Sequence, residues 1–179
     1  GLDVAAPEVL ALDLAMDVLP FRYVVMSKMP GLPLNEAKLG IEDERTALRN
    51  AGRLVARLHR VRMSGFGTLD EAHYLATSDA QGRFARWAVP SSLRAEAALN
   101  ELSNAGALDF DEAAGAMHIV ESTMHAKDDM PSRLLHGDFT ARHVFVDPAS
   151  GVITGLIDFG DRMAGMPVWD LAGAWLSHI

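Results

Sequence analysis

The chain contains no cysteine, which excludes disulfide staples and thiolate metal centres and is compatible with a reducing compartment. Lysine is nearly as scarce: Lys28, Lys38 and Lys127 are the only three, and none falls inside a run that reads as a strand. No apolar run reaches membrane-spanning length, and Gly1-Leu2-Asp3-Val4 lacks the basic start and long apolar core of a signal peptide. The expectation is a cytoplasmic protein with no membrane partner. Positive charge is outweighed, with 16 basic against 24 acidic residues and a net charge of -8, which argues against a nucleic-acid partner and suits a cationic ligand. What remains is an ordinary globular composition, 49% hydrophobic and 22% charged over 179 residues, enough for one domain and a small appendage.

Phe21-Arg22-Tyr23-Val24-Val25-Met26-Ser27 is β-branched and aromatic and reads as a strand, closed by the turn-rich Met29-Pro30-Gly31-Leu32-Pro33. From Ile41 to Arg62, Leu48, Ala51, Val55, Leu58 and Val61 recur at helical spacing, with Glu42, Asp43 and Glu44 in the first turn and Arg57, Arg60 and Arg62 in the last. Gly65-Phe66-Gly67 breaks the pattern, and Phe84 and Trp87 are expected to anchor the following polar stretch to the core. Ser91 or Ser92 can cap a helix carrying Ala95, Ala98, Leu99 and Leu102. Asp109 with Glu112 forms a capping-box pattern for a helix that turns Phe110, Ala113, Met117, Val120 and Met124 inward. Short apolar strands follow Pro131, and Pro167 to Ser177 returns to helix with Trp169, Leu171, Ala172 and Trp175.

Among those strands lies a concentration of polar groups suited to chemistry: His136, Asp138, His143 and Asp158 fall within 23 residues. Asp147-Pro148-Ala149-Ser150-Gly151 reads as the turn of an antiparallel hairpin between Val144-Phe145-Val146 and Val152 to Ile157. If Asp147 pairs with Val152, His143 faces Leu156, and Asp158 lies on the same face roughly 7 Å further along. A slip of one residue would send the two side chains to opposite faces. Asp138, in the loop entering the hairpin, would stand on the rim of the same site.

His136-Gly137-Asp138, a ligand-type residue five positions on, the hairpin, Ile157-Asp158-Phe159-Gly160 and Trp169-Asp170-Leu171-Ala172 together resemble the catalytic half of the aminoglycoside phosphotransferase and choline kinase family, relatives of protein kinases. The likeness runs from about residue 8 to 177. Residues 23–34 resemble the last N-lobe strand and hinge, and Gly65-Phe66-Gly67 with Trp87 is similar to the hygromycin-phosphotransferase-like branch. The resemblance implies an α+β fold: residues 1–34 as a remnant of the N-lobe and 35–179 as a mainly helical C-lobe, with a catalytic loop at 136–143 and a metal loop at 158–161. With 20 residues before Phe21, most of the N-lobe is absent, and an incomplete gene product is the expectation.

It further implies a kinase that moves the γ-phosphate of ATP or GTP to a hydroxyl of an aminoglycoside-like or amino-alcohol substrate, with a link to antibiotic resistance. Asp138 matches the catalytic base, Asp158 the metal-binding aspartate, and His136 and Asp170 supporting residues. Met26, Ser27, Lys28 and Met29 match the hinge that receives the nucleotide base, and Asp161 is a weaker candidate for a cationic substrate. His143 stands where the family usually has a metal-binding asparagine, which leaves the ion open between Mg²⁺ and Mn²⁺. Two other readings stand beside this one: a silent binding module of the same fold, and a metal-dependent hydrolase built from His136, Asp138, His143 and Asp158. Self-association through surface left by a missing N-lobe is a further expectation.

Overall fold

The computed structural model describes residues 4–125 and 130–176. In chain order the elements are β1 (Val9–Asp13), β2 (Tyr23–Met26), β3 (Leu32–Pro33), α1 (Ile41–Leu58), β4 (Phe66–Leu69), α2 (Glu71–Thr77) and β5 (Gly82–Phe84). They continue with α3 (Ala88–Asn104), α4 (Phe110–His125), β6 (Arg133–Leu135), β7 (Val144–Val146), β8 (Ile153–Leu156), a 3-10 turn Phe159–Asp161, β9 (Met163–Gly165) and α5 (Val168–Leu176). The chain divides into two compact units, one formed by residues 1–58, 138–160 and 170–179, the other by 59–137 and 161–169. Ser177, His178 and Lys127 lie outside the described residues.

In the first unit, α1 carries its acidic residues at its N-terminus and Arg57 in its last turn, both favourable to the helix dipole. Ala47, Ala51, Leu54 and Val55 form its buried stripe, packed in one core with Leu34, Phe139, Val144, Val146 and Leu156. The stripe is rotated from the expected one. Leu48 stands 37% exposed at its edge, and the helix stops at Leu58, which leaves Val61 beyond it. Small Ala47 and Ala51 let the helix approach closely, and the larger Leu54 and Val55 fill the remaining space. Beneath lies the antiparallel sheet β3-β7-β8, while β1 and β2 pair separately. β1 was not expected from the sequence.

In the second unit the sheet order is β5-β4-β9-β6, all antiparallel. Its core joins Phe66, Trp87, Leu135, Met163 and Met166. Trp87 is buried as expected, but it precedes a helix that begins at Ala88, a turn earlier than a cap at Ser91 or Ser92 requires. Pro90 is tolerated because the first-turn nitrogens have no intrahelical carbonyl to bond, and Ser91 becomes a buried helical residue. At α4 the capping box forms reciprocally: Glu112 N–H donates to Asp109 Oδ1, and Asp109 N–H to Glu112 Oε2, each at 2.9 Å. Phe110 is 85% exposed, contrary to the inward position its spacing suggests. Ala113, Met117, Val120 and Met124 are half-buried, and the first helical residue lies at the end of that stripe.

Candidate active site

The β7–β8 hairpin fixes two of the candidate groups. Asp147 N–H donates to Val152 O at 2.9 Å, the pairing expected from the turn, and the Asp147 carboxylate receives the N–H groups of Ala149 at 2.8 Å and Ser150 at 3.0 Å. These donors, Ala149 first, hold the Asp147 carboxyl below its ordinary value. The register then shifts. Val146 pairs with Ile153, but Phe145 pairs with Gly155 and Val144 with Leu156, so Thr154 is an extra residue whose hydroxyl donates to Pro30 O at 2.6 Å.

His143 therefore stands opposite Ile157, whose N–H donates to His143 O at 3.0 Å, and not opposite Leu156 as the unbulged turn predicts. Regular alternation would now turn Asp158 away. It is brought back by its own backbone, which takes the left-handed conformation at φ +62, a state that aspartate tolerates better than most residues. Gly160 N–H donates to Asp158 Oδ1 at 3.4 Å and helps hold that turn.

The result is a cluster centred on His143. Its Nδ1 lies 2.8 Å from the Asp138 carbonyl oxygen and 3.5 Å from Asp138 Oδ2, and its Nε2 lies 3.5 Å from Asp158 Oδ2. Thr140 adds a hydroxyl 3.4 Å from Nδ1 and receives the His143 N–H on its carbonyl at 3.0 Å. The imidazole is 13% exposed, against 38% for the Asp138 side chain and 60% for that of Asp158. A fixed ring thus sits between two reachable carboxylates. Thr140 escaped the sequence reading because no spacing rule marks a single threonine inside a loop.

Asp170 belongs to the same unit and is buried in the first turn of α5, where its charge complements the helix dipole. Of the four hinge candidates, Met26 and Lys28 are exposed and Met29 is buried. Ser27 donates its N–H to Glu8 O at 2.8 Å and receives the Glu8 N–H on its hydroxyl at 2.9 Å. Its backbone N–H and its side-chain hydroxyl are thus both engaged by Glu8, just before β1.

His136 and Asp161 lie in the second unit. His136 is fully buried directly after β6, and Asp161 is exposed at the end of the 3-10 turn. Gly137, at φ +90, has no space for a Cβ, which would run into the Asp161 carbonyl. Trp169, expected as a helix-packing residue and as the first residue of the Trp169-Asp170-Leu171-Ala172 motif, donates its indole N–H to Gly137 O at 3.3 Å. Its ring meets Trp87 edge-on at 5.8 Å and lies 5.0 Å beneath the Arg94 guanidinium.

The donor set suits a divalent cation bound partly by a ligand. Two donors each about 2.1 Å from one ion lie about 3.0 Å apart at an octahedral angle and about 3.4 Å apart at a tetrahedral one, close to the separation of His143 Nε2 and Asp158 Oδ2. Among the described residues no group of three or more His, Cys, Asp or Glu side chains converges to hold a metal. Phosphate oxygens or water would have to complete the shell, and the hydrolase alternative lacks its four-residue centre. No helix among the described residues is long and apolar enough to cross a membrane.

Known proteins give this geometry a setting. The family model described as APH, phosphotransferase enzyme family, matches residues 1–179. A thermostable mutant of aminoglycoside phosphotransferase APH(4)-Ia, solved as a ternary complex with ADP and hygromycin B, is similar at 21% identity and a TM-score of 0.63, over 95% of this chain and 54% of its own. An aminoglycoside-3'-phosphotransferase of type VIII is similar at 20% identity and 0.57, over 98% and 58%. A putative aminoglycoside phosphotransferase from Ralstonia eutropha is similar at 15% identity and 0.69, over 100% and 52%. The chain spans little more than half the length of these structures, and at such identities the likeness is one of fold.

Proposed function

Since this chain belongs to the APH phosphotransferase enzyme family, we propose that it carries the catalytic half of a small-molecule kinase. The reaction moves the γ-phosphoryl group of ATP or GTP to a hydroxyl of an aminoglycoside-like or amino-alcohol substrate. The observation that supports it most is His143, whose ring joins two carboxylates of unequal exposure, Asp138 and Asp158. Phosphoryl transfer needs a carboxylate to orient the attacking hydroxyl and a second group to hold the cation that neutralises the phosphates.

Asp138 takes the first role: its carboxylate accepts the substrate hydroxyl and then the proton, while its own carbonyl is tied to His143 Nδ1 and keeps the loop in place. Asp158, the more exposed, holds the divalent ion, Mg²⁺ or Mn²⁺, with His143 beside it. When bound, that ion would offset the negative charge of the β- and γ-phosphates. Met26, Lys28 and Met29 offer backbone groups to the base of the nucleotide, and Asp161 is the weaker candidate for a cationic substrate. Buried His136 and Asp170 support the loops from within their own units.

The test is transfer of labelled γ-phosphate from ATP and from GTP by the gene product containing this chain, offered hygromycin B, streptomycin and simple amino alcohols. Label should reach a substrate hydroxyl, with Asp138→Ala lowering the rate by about 10²-fold to 10⁴-fold and Asp158→Ala by at least as much. Nucleotide binding with no transfer to any acceptor would leave the binding-module reading in its place.

A further inference from the structure

The bulge in β8 does more than shift a register. It turns the Thr154 side chain toward the linker between β2 and β3, where the hydroxyl donates to Pro30 O at 2.6 Å across 124 residues of sequence. Proline has no N–H, so its carbonyl is the backbone group through which the linker can be gripped at that point. On either side of the bond the linker lies against the same hairpin. A Cβ on Gly155 would stand 2.5 Å from Met29 Sδ, so the buried Met29 side chain fills the space that this glycine leaves open. Gly31, at φ +92, turns against the Val146 carbonyl, and Leu32 and Pro33 then pair with Val146 and Phe145 as β3. Met29, Pro30 and Gly31 are thus seated in succession on β8 and β7.

We infer that Thr154 is a positioning residue that straps the base-binding linker to the hairpin carrying the cation end of the site, so that the two ends of the nucleotide seat keep one spacing. That role rests on the proposed function, which makes Met26, Lys28 and Met29 the seat of the base. The hairpin to which Thr154 belongs leads at its far end to His143 and Asp158, whose Nε2 and Oδ2 lie 3.5 Å apart. A nucleotide bridges the two places, its base on the linker and its phosphates at the ion beside Asp158. When the linker leaves the hairpin, both ends are correctly placed in only a fraction of molecules, and the apparent affinity falls by that fraction. A bound nucleotide holds the linker itself, so the loss falls on binding and much less on transfer. A hydrogen bond that served the fold alone would lower the melting temperature and leave nucleotide affinity where it was.

Thr154→Val keeps the shape of the side chain and removes the hydroxyl, Thr154→Ala removes it with less bulk, and Thr154→Ser keeps the donor. In the gene product containing this chain, amide hydrogen exchange of residues 26–32 is followed without nucleotide, beside ADP binding by calorimetry and steady-state transfer from ATP. Thr154→Val and Thr154→Ala should speed exchange in that segment by about 10-fold. Both should weaken ADP binding by about 10-fold and raise KM for ATP alike, with kcat moving by less than about 3-fold. Thr154→Ser should bring all of these back close to wild type.

Unchanged exchange in both variants that lack the hydroxyl would overturn the inference, because the linker would be held without Thr154. Faster exchange with unchanged ADP affinity would overturn it as well and leave Thr154 a residue of the fold alone. A loss of affinity that Thr154→Ser fails to restore would do the same, since the hydroxyl would not be its cause. Absence of ADP binding in wild type would overturn the proposed function and the positioning role with it. ADP binding without phosphoryl transfer would remove the kinase reading alone, and the affinities of the three variants would still decide the role of Thr154.

Discussion

Two antiparallel hairpins in the first unit are built alike and buried differently. Each contains an aspartate that gathers the backbone N–H groups of its turn: Asp13 receives Met16 at 2.8 Å, Val18 at 3.1 Å and Asp17 at 3.3 Å, and Asp147 receives Ala149 and Ser150. Each pairing also contains an irregularity. Yet β1 and β2 leave nearly every residue exposed, Val9, Leu10, Leu12, Val24, Val25 and Met26 among them, whereas Val144, Val146 and Leu156 of β7 and β8 are sealed under α1. Apolar sequence and turn chemistry are common to both, so they do not decide burial. A helix with a small-residue stripe over one face does, and it is the covered hairpin that holds His143 and Asp158 at a fixed distance.

The sharpest way to break this contrast is to truncate one leucine in each. Leu156→Ala should cost about 2 to 5 kcal/mol because the covered core cannot collapse around the lost atoms, while Leu12→Ala should fall within about 0.5 kcal/mol of wild type. Denaturant unfolding of the two variants checks it, and equal losses would mean that β1 is covered in solution. Next come the positive-φ positions. Gly31, at φ +92, lies against the Val146 carbonyl, so Gly31→Ala should cost about 1 to 3 kcal/mol or more. Met16, at φ +62 in the exposed loop, should gain up to about 1 kcal/mol on replacement by glycine. Opposite signs in thermal unfolding are expected, and a loss at both sites would contradict the contrast.

The smallest effect should be the acid dependence that the hairpins share. Asp13 is held below the ordinary carboxylate value of 3.8, chiefly by the Val18 N–H, and Asp147 by that of Ala149. A lowered folded value means stability that is present above pH 3.8 and lost as pH falls through the lowered value. Asp13→Asn and Asp147→Asn should each flatten the acid limb of a melting-temperature profile slightly, and by similar amounts, since both carboxylates are exposed to solvent.

How much of this was legible in the chain depends on what each residue's neighbours reveal. Asp138, His143 and Asp158 were readable because the Asp147 turn announces a hairpin, and two strands of known spacing bring their ends together. The Thr154 bulge and the left-handed Asp158 were not: each shifts the register or direction by one residue, and neither leaves a mark in a pattern of alternation. They offset one another, so the proximity of the two side chains survived a wrong register. β1 was missed because Val9-Leu10-Ala11-Leu12-Asp13 neither alternates nor is bounded by glycine, and the start of α3 was misplaced because Pro90 reads as a breaker where a first turn accepts it. Phe110 fitted the helical period and still faces solvent, since period alone does not say where a partner surface ends.

In the proposed reaction Asp138 acts on the substrate hydroxyl while the nucleotide and its ion are held elsewhere in the site. Asp138→Asn keeps the shape of the side chain and removes its basicity. Nucleotide affinity and single-turnover γ-phosphoryl transfer, measured on one preparation of this variant beside wild type, separate the two roles. Transfer should fall by about 10²-fold or more with nucleotide affinity within about 3-fold of wild type. Transfer at the wild-type rate, or a loss explained entirely by weaker nucleotide binding, would contradict that assignment.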